Sequence, residues 1–301
     1  MVFIMQTFAY GHKGGIMKAT TGKLSDWVVK SACGRDFETQ LQTVETTGQH
    51  GAPQVLRAMA LGANGFAGTP QKADLALVFG CYRPFSTPNI LREVAWILGK
   101  LGMAHTWLEK ENCCGLPLMH QVASEDRPQM ADTAQGFVRG NKEAAAQKGA
   151  SRLAYCCAGC AHVAKSVDAE AELSHSYILD VLLDALQGRS LRIKPLKVAY
   201  FEGCHTSYRR HFPQTSLNWP AYRQFLEGVE GLAVQEIAGG LCCKNQPDRI
   251  VAAAQENRAD ALVCACSGCT VAVRAAGQGK IRVMSYTELL ARSLGYEPSG
   301  L

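Results

Sequence analysis

Apolar residues in this chain follow two patterns, short unbroken runs and longer stretches at helical spacing, and the two alternate regularly from Ala73 onward. The run ADLALVFG (73–80) predicts a buried strand. NILREVAWILGKLG (89–102) predicts a helix with Pro88 at its start, where a missing N–H costs nothing. AHTWLE (104–109) is a second strand, residues 127–148 a long helix, SRLAY (151–155) a third strand and residues 177–186 a further helix. The same order then returns. LKVAYFEG (196–203) reads as a strand, residues 220–232 contain a helix, and AVQEIAG (233–239) is a strand. Residues 247–259 form a helix, ALVCA (261–265) and IRVMSY (281–286) are strands, and TELLARSLG (287–295) is a closing helix. Residues 1–72 lack this rhythm; they offer a helix at 52–61 and a shorter one near 25–32.

Strands that alternate with helices predict parallel sheets joined by right-handed crossovers. The fold class expected is α/β, with two duplicated Rossmann-like parallel-sheet units facing a common cleft. The divisions are an N-terminal extension (1–72), read as a docking arm, a first unit (73–192) and a second unit (193–301). In open sheets of this kind ligands bind past the carboxyl ends of the strands.

Composition narrows the classes. Of 301 residues, 47% are hydrophobic, enough for a full core without disulfide staples. A net charge of +5 spread along the chain is far from a nucleic-acid-binding signature, so nucleic acid is not an expected partner. No apolar run is long enough for a membrane span. The first residues, MVFIMQTFAYGHKGG, lack the features of an export signal, so a reducing cytoplasmic setting is expected. There, abundant cysteine points to metal binding or catalysis.

Ten of the 13 cysteines fall into two matching sets. Cys81, the pair Cys113–Cys114 and the C-x-x-C of Cys157 and Cys160 form the first; Cys204, the pair Cys242–Cys243 and the C-x-x-C of Cys266 and Cys269 form the second. Each cysteine follows a predicted strand, so three loops converge in each half. Five thiolates exceed the four ligands of a structural zinc and suit an iron–sulfur cluster. A set of buried free thiols, a zinc site and a disulfide relay are the competing readings. Cys156 and Cys264, beside the C-x-x-C motifs, are expected in the core.

VFGCYRPFSTPN (78–89), ENCCGLPL (111–118) and YCCAGC (155–160), then FEGCHTS (201–207), GGLCCKN (239–245) and ACSGC (265–269), resemble the CCG-domain (cysteine-rich domain) family, in particular the B subunit of heterodisulfide reductase. The resemblance covers about 73–301. It implies two noncubane [4Fe-4S] clusters, one on each set of five cysteines, at which a disulfide is reduced or formed with substrate sulfur binding to iron. It therefore implies an enzyme, the catalytic disulfide/thiol oxidoreductase subunit of a heterodisulfide-reductase-like complex in sulfur metabolism. The implied partners are a C-type, ferredoxin-like iron–sulfur subunit; an A-type, flavin-containing subunit; and, in the sulfur-oxidising type, a lipoate-binding protein. The alternative is an electron-relay CCG subunit of a lactate/glycolate or succinate dehydrogenase-type complex. The second copy departs from the family pattern: Lys244 replaces the glycine after the cysteine pair, and the gap from Cys243 to Cys266 is short.

His205, next to Cys204, and Lys244 are the candidate catalytic residues, the first as a proton shuttle and the second as a charge facing an anion. His120 is a further shuttle candidate. Tyr82, Arg83, Tyr208, Arg209 and Arg210 are placed along the cleft or a partner face.

Overall fold

The computed structural model describes residues 36–68, 71–119, 121–122, 127–168, 173–203, 217–237 and 240–297. In the first half, α1 (Phe37–Thr47) and α2 (Gln54–Ala63) precede β1 (Leu75–Val78), α3 (Arg83–Ser86), α4 (Pro88–Lys100), β2 (His105–Trp107), α5 (Leu116–Met119), α6 (Arg127–Gln147), β3 (Arg152–Tyr155), α7 (Ala158–Val167), β4 (Ser174–Tyr177) and α8 (Ile178–Leu186). The second half contains β5 (Arg192–Phe201), α9 (Trp219–Glu227), β6 (Glu230–Glu236), α10 (Pro247–Glu256), β7 (Ala261–Cys264), α11 (Ser267–Gly277), β8 (Arg282–Ser285) and α12 (Tyr286–Ser293). They build two four-stranded sheets of order β2-β1-β3-β4 and β6-β5-β7-β8. Every pairing is parallel. The strand order is the same in both, so the duplication expected from the sequence is a fact of topology, and the fold is α/β with two Rossmann-like sheets.

The central strands explain their own sequences. β1 and β7 are buried at every position, as strands covered on both faces must be, and so read as unbroken apolar runs. α4 buries Ile90, Leu91, Val94, Ile97 and Leu98, one stripe at helical spacing.

The differences from expectation are local. β4 is Ser-His-Ser-Tyr, with only Tyr177 buried; backbone pairing with β3 makes it a strand, which no side-chain pattern announces. The helix expected at 220–232 stops at Glu227, because Gly228 caps it and the chain from Glu230 is taken up by pairing with β5. β6 therefore begins before the predicted 233. α7 and α11 start directly after the first cysteine of each C-x-x-C, where no helix was expected. The helix expected near 25–32 lies outside the described residues.

One apolar core joins the two halves. The Tyr177 hydroxyl donates to the Ala265 carbonyl at 2.6 Å, and the Tyr286 hydroxyl to the Tyr222 carbonyl at 2.7 Å. On α4, the buried Glu93 carboxylate accepts from Ser285 Oγ at 2.8 Å and Thr287 Oγ1 at 2.6 Å in the other half. Burial raises the pKa of Glu93 above its usual value, against those hydrogen bonds. The unfolded chain then releases its proton at lower pH than the folded one, so Glu93 makes stability fall as pH rises from its unfolded pKa through its folded pKa. Glu93→Gln keeps an acceptor for both hydroxyls and is expected to remove that fall; denaturant midpoints measured across this window check it.

Residues 36–68 pack on the first sheet. Val44, Leu61 and Phe66 belong to the shared core, and the Phe66 ring meets Phe79 edge-on at 4.8 Å between centroids. Among the described residues, no helix is long and apolar enough to cross a membrane.

Candidate functional site: two cysteine sets at the sheet edges

In the first half, three loops past the carboxyl ends of β1, β2 and β3 bring the cysteines together. Cys81 follows β1, Cys113 and Cys114 follow β2, Cys157 is the N-cap of α7 and Cys160 lies in that helix's first turn. The sulfurs of Cys81 and Cys113 are 3.9 Å apart. Cys113 shares a hydrogen bond with Cys114, Cys114 with Cys160, and Cys160 with Cys157. The five thiols thus form one unbroken row, all buried except the half-buried Cys157.

The row is electrostatically uneven. Hydrogen bonds from Cys113 and Cys160, helped by the Leu116 N–H, hold the Cys114 thiol well below its usual range. Cys157 is lowered to about 7 by its hydrogen bond with Cys160 and then by the charge of Arg83. Cys113 and Cys160, the partners in these bonds, are pushed up. Lowered and raised thiols therefore alternate along the row from Cys113 to Cys157.

Gly80 and Gly203 clear the space beside the sulfurs. Gly80 has φ +85°, and a Cβ there would lie 3.3 Å from Cys160 Sγ and 3.8 Å from Cys157 Cβ. Gly203, the corresponding residue before Cys204, has φ +122°, and its Cβ would lie 3.6 Å from Cys269 Sγ. Gly80→Ala is expected to cost roughly 1–2 kcal/mol in backbone strain alone. It is also expected to crowd Cys160, so iron content should drop with little change in helicity; metal analysis and circular dichroism on the same sample check it.

The loop carrying Cys81 is held from behind. Glu111 accepts from the Phe79 N–H at 2.8 Å and the Gly80 N–H at 2.7 Å. Its carboxylate pairs with Arg57 of α2 at 2.5 Å, both side chains being fully buried. Arg57 also donates to the Glu109 carbonyl at 2.9 Å, and Gln54 to the Glu111 carbonyl at 2.7 Å. The Cys113 N–H donates to the Gly48 carbonyl at 2.7 Å. Gly48, Gln54 and Arg57 thus back the loops of the first set.

The described thiols of the second half follow the same plan. Cys266 is the N-cap of α11, and Cys269 in its first turn shares hydrogen bonds with Cys243 and Cys266. Cys242 and Cys243 are half-buried, and Lys244 is exposed on the turn that follows. Cys204, His205, Tyr208, Arg209 and Arg210 lie outside the described residues, as do His120 and Cys33. Cys156 and Cys264 are core residues whose thiols are pushed up by burial.

The Arg83 charge bears on thiols of both sets. The thiols facing its charge are Cys157, Cys160 and Cys81 from the first set and Cys266 from the second. The Cys266 charge also bears on Cys157. The Tyr177 hydroxyl's hydrogen bond to the carbonyl of Ala265, the residue before Cys266, brings the two sheet edges together.

The donor set fits an iron–sulfur cluster. Among the described residues, no three His, Cys, Asp or Glu side chains converge on one point as ligands of a single metal ion do. Five neighbouring thiols strung along one edge, with glycine clearance beside them, match ligands spread over several irons. Sequence reasoning missed Arg57 and Glu111, and treated Gly80 and Gly203 only as parts of motifs. The repeated Gly-Cys of VFGC and FEGC was the available signal for the glycines; nothing in the sequence pointed to Arg57.

Residues 75–164 match the CCG family, described as a cysteine-rich domain. The chain is 28% identical over 258 residues to the D subunit of dihydromethanophenazine:CoB–CoM heterodisulfide reductase from Methanosarcina barkeri, a match covering 76% of this chain and 61% of that relative. The D subunit from Methanosarcina mazei is 35% identical over 97 residues, covering 31% of this chain and 22% of the relative. That from Methanosarcina acetivorans is 32% identical over 95 residues, with the same shares. The chain therefore spans less than two thirds of these relatives. A solved chain from Yersinia pestis, described as a candidate Asp/Glu racemase, aligns over 73% of this chain and 96% of its own at 15% identity, with a TM-score of 0.35 that carries no argument.

Proposed function

We propose that this chain, which carries a cysteine-rich domain over residues 75–164, is an iron–sulfur oxidoreductase subunit that reduces or forms a disulfide. The observation that carries the reading is the row of five neighbouring thiols at the edge of one sheet, beside a second sheet of identical strand order bearing the same motif. Similarity to heterodisulfide reductase subunits supports it. Those relatives are D subunits, so the role proposed is that of the cysteine-rich, substrate-handling part of such an enzyme, of the B or D kind.

In this reading Cys81, Cys113, Cys114, Cys157 and Cys160 hold one cluster, and Cys204, Cys242, Cys243, Cys266 and Cys269 hold another. When bound, noncubane [4Fe-4S] clusters would supply one electron each and an iron open to sulfur. The chain's own groups do the rest. Cys157 and Cys266 present their sulfurs at helix N-termini, where a thiolate is favoured. Glu111 and Arg57 fix the Cys81 loop, and the two glycines leave room at the sulfurs. Disulfide reduction consumes two electrons and two protons and yields two thiols. The electrons would come singly from a ferredoxin-like iron–sulfur subunit, fed by a flavin-bearing one; a lipoate-binding protein is a candidate thiol carrier. His205, next to Cys204 in sequence, and the exposed Lys244 are proposed as a proton donor and an anion contact of the second set.

Anaerobically purified protein should contain about eight irons per chain and give, after oxidation, a paramagnetic signal that changes with added thiol. A cluster signal indifferent to thiols would favour the electron-relay alternative. Absence of iron, with zinc in its place, would sink the proposal.

A further inference from the structure

We propose that Arg83 binds the substrate sulfur as a thiolate between the two cysteine sets, an inference that rests on the reading of both sets as cluster ligands. Three observations place it there. The Arg83 side chain runs beside the first set: a Cβ on Gly80 would lie 4.0 Å from Arg83 Cγ and 3.3 Å from Cys160 Sγ. Its charge acts on thiols of both sets, Cys157, Cys160 and Cys81 of the first and Cys266 of the second. Although the residue as a whole is half-buried, Nη1 is buried and has no hydrogen-bond acceptor among the described residues.

A buried arginine N–H without an acceptor is costly, and the usual reason to keep one is a ligand that completes it. The charge is not there to pair with a carboxylate, since among the described residues no Asp or Glu forms an ion pair with Arg83. Arginine stays charged under all working conditions and offers several donors in a plane. A disulfide is neutral and gives such a group little to bind. When the S–S bond takes two electrons from a one-electron donor protein, each sulfur leaves with an electron pair as a thiolate, and one of them then lies against a fixed cation. Arg83 thus favours the cleaved state over the disulfide, and in the reverse direction it collects the incoming thiol in its reactive, deprotonated form. In the second copy the position two residues after the first cysteine is Thr206.

The test uses the full chain, loaded with iron and sulfide anaerobically, as wild type, Arg83→Met, Arg83→Gln and Arg83→Lys. Iron content is measured first. The thiol-dependent paramagnetic signal is then titrated with 2-mercaptoethanol, whose only anion is its sulfur, and with 3-mercaptopropionate. The expected result is unchanged iron, at least tenfold weaker binding of both thiols in the Met and Gln variants, and recovery to within a few fold in Arg83→Lys. Wild-type affinity for 2-mercaptoethanol in the uncharged variants overturns the proposal. So does a loss confined to 3-mercaptopropionate, which would make Arg83 a reader of a remote carboxylate. Loss of iron from both uncharged variants overturns it as well, since the residue would then be a counter-ion for the clusters. A wild-type protein with iron but no thiol-dependent signal removes the proposed function itself, and this inference with it.

Discussion

Replacement of Cys114 by Ser is expected to empty the first cysteine set and leave the second loaded, so that about eight irons per chain become about four. Cys114 sits in the middle of the sulfur row and shares hydrogen bonds with Cys113 on one side and Cys160 on the other. It is also one of the two thiols in the row held below their usual range. A serine hydroxyl at this place is a far weaker acid and does not replace a thiolate on iron. Disulfide reductase activity should vanish, because two electrons can no longer be delivered from two centres. Iron analysis with paramagnetic resonance checks the prediction, and an unchanged iron content would remove the first set from the assignment.

The second large effect concerns a residue that touches no sulfur. Glu111→Gln should destabilise the chain by about 3–5 kcal/mol, because it leaves the buried Arg57 without its counter-charge. It also weakens the hold on the Phe79 and Gly80 N–H groups, which the carboxylate now grips with both oxygens. Burial already raises the Glu111 pKa, and Arg57 works against that rise, so the pair depends on being complete. Replacing both residues by apolar ones of similar size should cost less than replacing Glu111 alone. Denaturant unfolding of the single and double variants measures this directly. The first set should also load iron poorly in Glu111→Gln while the second loads normally. Equal loading of both sets would separate the Glu111 clamp from the site.

What could be read from the sequence follows from where the signal is carried. The buried strands announced themselves because β1 and β7 are covered on both faces and must be apolar throughout. The cysteines announced themselves because core packing alone does not impose a repeated spacing on thiols. β4 was invisible: its pairing runs through backbone groups, and Ser174, His175 and Ser176 give no apolar pattern. The Arg57–Glu111 pair was equally hidden, since two charged residues far apart in sequence look like surface until the fold buries them. Residues 1–72 read as a docking arm because they lack the alternating pattern; within them, Gly48 and Arg57 support the Cys81 and Cys113 loops. Arg83 could be placed along the cleft or a partner face, and only the fold brought its charge to act on thiols of both halves.

That shared charge makes the two copies unequal despite their common strand order. Arg83, whose charge acts on thiols of both sets, belongs to the first copy, and Thr206 stands at the corresponding sequence position of the second. A dimer built from two second halves would bring its sulfurs together with no Arg83 between them, and one built from two first halves would force two guanidinium groups into the same gap. Joining the copies in one polypeptide thus keeps the one Arg83 charge acting on thiols of both sets.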